Sequence, residues 1–266
     1  MSWKNVLAGL KSMPLERTQR AFALLPLATF VLLYCTFAML LDEMWRPAFL
    51  GLAACYLIAF IALGSDWFWA RWYTMGLAWS GVMVGVYAIV TMGAAAPLVI
   101  YAALHGAIVL LLRGGKLVAL YEGQTAWRER YGLDEHGAAR VGKAVSRTSA
   151  SLPSLVLWAL APKPPENEAL FAFAGSAFMT VTVWLTLLMA VGALFAFVRG
   201  RAVGACFLIA AAASVVFARL TMGAQVASSP VALQALVLGA TTVAPLALCG
   251  AVLPIAGPVF RYLRGR

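Results

Sequence analysis

The sequence predicts an all-α fold, an integral membrane bundle with about seven transmembrane helices. Of its 266 residues, 63% are hydrophobic and only 11% are charged, far from the composition of ordinary soluble domains. The hydrophobic residues form long apolar runs, most of them near the ~20 residues with which a helix crosses ~30 Å of hydrocarbon. The alternating segments of about ten residues that a membrane β-barrel needs do not occur.

The net charge of +10 does not indicate a nucleic-acid partner. The Lys and Arg residues flank hydrophobic runs and crowd into one loop, which is how the positive-inside rule distributes them in membrane proteins. The four cysteines lie singly inside apolar runs, with no C-x-x-C spacing. We therefore expect no disulfide framework, no metal site and no redox pair.

The N-terminal half reads as a basic cytoplasmic segment, residues 1–20, followed by a four-helix transmembrane half, residues 21–112. The apolar run 21–41 is longer than the core of a signal peptide and is not followed by a small-residue cleavage site. We therefore expect it to remain as the first span. The other predicted spans are 47–64, a segment that starts in the aromatic cluster 67–73 and ends near 91, and 95–112.

Two sets of small residues predict contacts between helices. Gly81 and Gly85 form a G-x-x-x-G pair on one face of the third span, a spacing that permits close approach of membrane helices. Ala210, Ser214 and Ala218 form a seam of small residues on a later span. We predict that both faces pack against neighbouring helices.

A polar island, residues 113–168, separates the two hydrophobic halves. It holds eight of the 20 Lys and Arg residues and six of the 10 Asp and Glu residues. Its basic character predicts a cytoplasmic location. Its first part predicts one amphipathic helix at the membrane interface, because six residues recur at helical spacing. They are Leu117, Leu120, Tyr121, Gln124, Trp127 and Tyr131.

A second island helix, with Asp134 as its N-cap, is predicted to carry a basic stripe formed by His136, Arg140, Lys143 and Arg147. The spacing places these residues within an arc of about 60° on a helix. One interpretation is a site for anionic lipid head groups, and a second is a cytoplasmic protein partner. The alternative is a solvated face that only satisfies membrane topology.

The C-terminal half, residues 169–260, reads as three spans: 169–198, 202–218 and the spanning part of the uncharged stretch 220–260. The last span is expected to begin at Pro230 and to kink at Pro245 and Pro254. A basic tail, residues 261–266, follows and is expected in the cytoplasm.

Charge counting leaves two topologies open. Seven simple spans would place 14 Lys and Arg residues inside and six outside. A short eighth span at 148–162, or a re-entrant pair folded from 220–260, gives 17 inside and three outside. The re-entrant pair needs a tight turn near Ala244 and Pro245 without turn-forming residues. We favour the eighth span, because bilayer thinning and snorkelling of flanking residues tolerate a short span.

His105 is the candidate for chemistry, because it lies mid-span, where an ionisable group is costly. The simpler interpretation is a neutral imidazole that hydrogen-bonds between helices. Haem would need a second axial histidine in a span, whereas the only other histidine is His136 in the island. The sequence lacks the H-E-x-x-H motif of metalloproteases and the G-x-S-x-G motif of serine hydrolases. It also lacks the intramembrane carboxylates that a metal site or a proton relay needs, and the lysine in the last span that retinal needs. We therefore assign no catalytic residue and expect no cofactor.

The expected function is a non-catalytic protein of the cytoplasmic (inner) membrane, acting as a membrane subunit or lipid-associated scaffold. Its expected partners are membrane lipids with anionic head groups, or a protein at the cytoplasmic loop. A different class is a small transporter for an apolar or lipid-like substrate. It would use a path lined by polar residues of the long helices, such as Thr180, Gln234 and Thr241. A membrane enzyme that uses His105 is the third alternative.

Overall fold

The computed structural model describes residues 14–132, 134–161, 177–226 and 231–263. These residues form ten α-helices and one short 3-10 turn, Glu43–Trp45, and contain no strand. The helices are α1 Leu15–Leu40, α2 Arg46–Gly64, α3 Ala70–Met92, α4 Ala96–Leu112, α5 Gly115–Glu122, α6 Thr125–Tyr131, α7 Glu135–Leu160, α8 Ala177–Val198, α9 Val203–Val226 and α10 Val231–Leu263.

Local sequence explains where several helices begin and end. Pro47 lies in the first turn of α2, where its missing N–H breaks no intrahelical hydrogen bond. Helix α6 ends at Gly132, whose φ of 60° is accessible to a residue without Cβ. The Asp134 side chain accepts a hydrogen bond from the Gly137 N–H at 2.6 Å, which confirms the predicted N-cap of α7.

The helical membrane bundle predicted from composition is supported by the helix lengths. Within the described ranges, five segments are long and apolar enough to cross a membrane: α1, Glu43–Gly64, α3, Phe178–Val198 and Val203–Thr221. Two further apolar helices, Ala96–Leu112 and Thr242–Pro258, are shorter. Length and composition alone therefore support five of the roughly seven predicted spans.

The predicted single amphipathic helix of the island is wrong in one respect, because the segment forms two short helices, α5 and α6. The break falls at Gly123, where a Cβ would lie 2.2 Å from the carbonyl oxygen of Ala119. Leu117, Tyr121 and Trp127 are buried, so these two helices pack on the bundle. The ring of Trp127 stacks on Phe68 with a centroid distance of 4.4 Å.

Helix α7 joins two segments that the sequence analysis treated separately. The basic stripe and the part of the apolar run from residue 148 to Leu160 belong to one 26-residue helix that continues through Pro153. At 1.5 Å per residue this helix is about 39 Å long. The re-entrant alternative is wrong, because α10 is continuous through Ala244 and Pro245.

Helix α7 runs through the bundle in the same direction as α3. Gly142 lies against Trp72, and the Ser149 hydroxyl donates to the Tyr73 carbonyl at 3.0 Å. Further along, Val156 and Leu160 reach Gly51, near the start of α2. Since the start of α2 lies at the end opposite the α2–α3 loop, α7 traverses most of the depth of the bundle.

Small residues make the contact between α3 and α7 close. A Cβ on Gly76 would lie 1.9 Å from the carbonyl oxygen of Ser146 and 2.0 Å from the Ser149 hydroxyl oxygen. The middle of α7 is fully enclosed, and even Thr148, Ser149 and Ser151 are buried. The hydroxyl of Ser151 bonds to the carbonyl of Thr148, at 2.7 Å, so its burial leaves no unpaired donor.

The remaining helices, α8 to α10, pack beside α7. Helices α8 and α9 are antiparallel, with a hydrogen bond of 2.7 Å between the hydroxyls of Thr186 and Ser214. The buried side of α9 includes Ala211 and Ala218, whereas Ala210 is exposed. The predicted start of the last span at Pro230 lies outside the described residues.

Candidate functional site

One end of the bundle is held together by hydrogen bonds to the α2–α3 loop. Arg20 of α1 forms an ion pair with Asp66. The Tyr121 hydroxyl donates to the Leu63 carbonyl at 3.0 Å, and the Gln124 amide donates to the Asp66 carbonyl at 3.3 Å. Burial raises the pKa of Tyr121 to about 12, against a smaller lowering by Arg20, so its hydroxyl keeps its proton at neutral pH. We call this end the basic end.

A cavity of about 270 Å³ opens between α3 and α7 at the basic end. Its cations are Arg71, Lys143 and Arg147, and its walls include Trp72 and Gly142. An arginine from another helix, Arg71, thus lines the same cavity as two members of the predicted basic stripe. The described residues that line the cavity include no acidic side chain.

The two arginines of the cavity are positioned by bonds to backbone carbonyls. Arg71 donates from Nε to the Leu112 carbonyl at the end of α4, at 2.9 Å. Arg147 donates from Nη1 to the Gly250 carbonyl of α10. In a helix that carbonyl would accept the N–H of residue 254, but Pro254 has none. Arg147 therefore satisfies an acceptor that the proline leaves open.

Of the other stripe residues, Lys143 lies at the edge of the cavity, whereas His136 and Arg140 lie outside it. Lys143 is exposed at its edge and makes no hydrogen bond or ion pair to another described residue. Arg140 donates to the His136 carbonyl of its own helix, at 3.2 Å, and His136 is exposed. The stripe therefore consists of two residues that line the cavity, Lys143 and Arg147, and two on the preceding turns of α7, His136 and Arg140.

His105 lies at the centre of a buried hydrogen-bonded cluster formed by α1, α2 and α4. Its Nδ1 lies 2.9 Å from the Tyr101 carbonyl, one turn earlier in α4. A carbonyl oxygen only accepts, so Nδ1 carries the proton and donates. Nε2 of the neutral ring then accepts from the Tyr56 hydroxyl at 2.7 Å. The Tyr34 hydroxyl donates to that of Tyr101 at 3.4 Å.

The space around the His105 ring is filled. The side chain is fully buried, and the Phe30 ring lies 4.0 Å away between centroids. On the other side, a Cβ on Gly81 would lie 2.0 Å from the His105 ring, and a Cβ on Gly85 would lie 2.8 Å from that of Ala102. The predicted G-x-x-x-G face is therefore where α3 approaches α4. Both ring nitrogens are engaged, so the geometry favours a structural role over catalysis.

Of the three residues proposed for a transport path, only Thr180 has a described side chain. The hydroxyl of Thr182, two residues further along α8, bonds to the Phe178 carbonyl of its own helix, at 2.7 Å. Thr180 is half-buried, and the side chains of Gln234 and Thr241 lie outside the described part of the chain. Among the described residues, no three His, Cys, Asp or Glu side chains are grouped as metal ligands would be.

No protein-family model, no curated protein and no solved structure matches this chain. The functional argument therefore depends on the geometry of the molecule. Sequence reasoning missed Arg71 as a partner of the stripe, because it was read as part of the aromatic cluster 67–73. No periodicity connects residue 71 with residues 143 and 147, and only the packing of α3 on α7 brings them together.

We predict that His105→Leu lowers the free energy of unfolding by roughly 0.6–2 kcal/mol, because the Tyr56 hydroxyl and the Tyr101 carbonyl lose their partner. Tyr56→Phe should give a loss of similar size, since it leaves Nε2 without a donor. Thermal and denaturant unfolding in one detergent measures both variants. Gly106→Ala on the same helix is the control, because a Cβ there meets nothing within 4 Å. A His105→Leu variant as stable as wild type would contradict the structural role.

We also predict a coupling between Arg147 and Pro254. Arg147→Gln should lower the free energy of unfolding by about 0.5–1.5 kcal/mol, because the half-buried Gly250 carbonyl loses its donor. Pro254→Ala restores a helical N–H for that carbonyl, so Arg147→Gln should cost at least about 0.5 kcal/mol less in the Pro254→Ala background. A double-mutant cycle from denaturant unfolding gives the coupling, and strict additivity would show that Arg147 does not serve this acceptor.

Proposed function

We propose that this chain is a non-catalytic protein of the cytoplasmic membrane that acts as a lipid-associated scaffold or membrane subunit. Its basic end would face the cytoplasm and contact anionic lipid. The observation that carries this proposal is the cavity at which Arg71, Lys143 and Arg147 come together from two helices. Basic pockets between membrane helices on the cytoplasmic side are a recognised form of anionic-lipid site.

The proposed topology has eight spans, with α7 as the added one. The course of α7 alongside α3 supports this count, because it carries the chain to the opposite end of the bundle. With the N-terminus inside, 17 Lys and Arg residues then lie in the cytoplasm and three outside. The three are Arg46, Lys163 and Arg219. In this topology the basic tail and the basic end lie on the same side of the membrane.

The scaffold proposal is preferred to the alternatives because of how the polar groups are used. Thr182, Thr186 and Ser214 bond to helix carbonyls or to one another, which closes the α8–α9 contact. They give no specific support to a transport path. The enzyme alternative would need an accessible nitrogen on His105, and both nitrogens of that ring already have partners.

Orientation is tested with single cysteines in a variant whose four native cysteines are replaced by alanine. Glu129→Cys on α6 should resist a membrane-impermeant thiol reagent in intact cells, because we place that helix in the cytoplasm. Ala94→Cys, in the exposed α3–α4 turn at the opposite end, should react. After lysis both positions should react, which controls for accessibility. The reverse pattern in intact cells would overturn the orientation.

Lipid association is tested by the lipids that remain bound after extraction in a mild neutral detergent. Surface attraction is worth ~1 kcal/mol per basic residue, so the triple variant Arg140→Gln, Lys143→Gln, Arg147→Gln should lose most of the anionic lipid that wild type retains. Raised salt should weaken retention by wild type. Arg46→Gln at the other end is the control and should retain wild-type levels. If wild type shows no preference for anionic over neutral lipid, the proposal is wrong.

A further inference from the structure

We propose that the cavity between α3 and α7 binds the phosphate head group of one anionic phospholipid. This inference rests on the proposed function and narrows it from a basic surface to a single site. Its cations are Arg71 from α3 and Lys143 and Arg147 from α7. A diffuse basic surface would use all four stripe residues alike, whereas this site uses two of them and a third residue from outside the stripe.

The charges of the cavity are arranged for an anion before any anion binds. Arg71 and Arg147 are fixed by their bonds to the carbonyls of Leu112 and Gly250, so their guanidinium groups lose little freedom when a phosphate arrives. Lys143 makes no bond to another described residue and is exposed at the edge. Its ammonium can therefore move to the phosphate as a mobile point charge.

The size and walls of the cavity indicate a head group and exclude a whole lipid. Its volume of about 270 Å³ lies just below the ~300 Å³ at which pockets for drug-sized ligands begin. One wall is the Trp72 ring, which lies so close to α7 that a Cβ on Gly142 would come within 2.4 Å of it. An indole beside cations at the end of a span is typical of the interface where lipid phosphates lie.

A lipid bound there would contact side chains of α3 and α7 that already link these two helices to α4 and α10. Arg71 joins α3 to the end of α4, and Arg147 joins α7 to α10. A phosphate between these residues would lie against two guanidinium groups that line a common cavity. Occupation of the site should therefore stabilise the packing of α7 between the N-terminal helices and α10.

The test uses the full chain in a neutral detergent with native mass spectrometry. Phosphatidylglycerol is titrated into the sample, and phosphatidylcholine and inorganic phosphate are titrated in parallel. Wild type should bind one phosphatidylglycerol molecule with clear preference over phosphatidylcholine. Lys143→Gln should weaken that first binding step on the order of tenfold, through loss of a charge-assisted bond. Arg140→Gln, on the same helix but outside the cavity, should change it less than about threefold.

Ala139→Phe adds a variant that fills the cavity without changing charge, since Ala139 lines it and is exposed. It should also abolish the first binding step. If Lys143→Gln and Arg140→Gln weaken binding equally and Ala139→Phe has no effect, the site is overturned while the basic-surface function stands. If wild type does not prefer phosphatidylglycerol over phosphatidylcholine, both the head-group site and the lipid-associated function are wrong. If inorganic phosphate competes at equal concentration, the ligand is a free anion and the lipid assignment is wrong.

Discussion

The close contact between α3 and α7 is the constraint on which the rest of the arrangement depends. It exists because Gly76 has no side chain, so the Ser146 carbonyl and the Ser149 hydroxyl come directly against the backbone of α3. A helix held at this distance brings Gly142 onto Trp72 and places Lys143 and Arg147 beside Arg71. The cationic cavity therefore depends on close backbone packing, which requires the small residues Gly76 and Gly142, as well as on the charged residues that line it.

The same contact explains how a helix that begins with polar residues can fill the centre of an apolar bundle. Burial of a hydroxyl is costly only when it lacks a partner. Ser149 has partners in the carbonyls of Tyr73 and Ser146, and Ser151 has one in Thr148. The buried hydroxyl of Thr148 has no partner among the described residues. With Ser149 and Ser151 satisfied, the small side chains of α7 allow its neighbours to pack closely from several sides. Larger apolar residues at these positions would hold α3 farther away.

Hydropathy predicted the helical class and the limits of several helices, because those features depend on the local sequence. The α7 helix was divided in two after Arg147, because its charges end there and an uncharged run begins, but the structure shows one continuous helix. Likewise, Gly81 and Gly85 indicated a contact face, but not that His105 would fill it. The partner of that histidine, Tyr56, is 49 residues away in sequence, and no local pattern connects them.

Charge counting treats every cation alike, whereas in the structure the cations differ in the groups that they contact. Arg20 is neutralised by Asp66, and Arg71 and Arg147 serve carbonyls that α4 and α10 leave open. These residues would be needed even in a membrane without anionic lipid. Lys143 has no such structural task among the described residues. The planar guanidinium groups are suited to fixed acceptors and the mobile ammonium to a ligand that comes and goes. A substitution of Lys143 therefore tests lipid recognition without removing a bond that positions a helix.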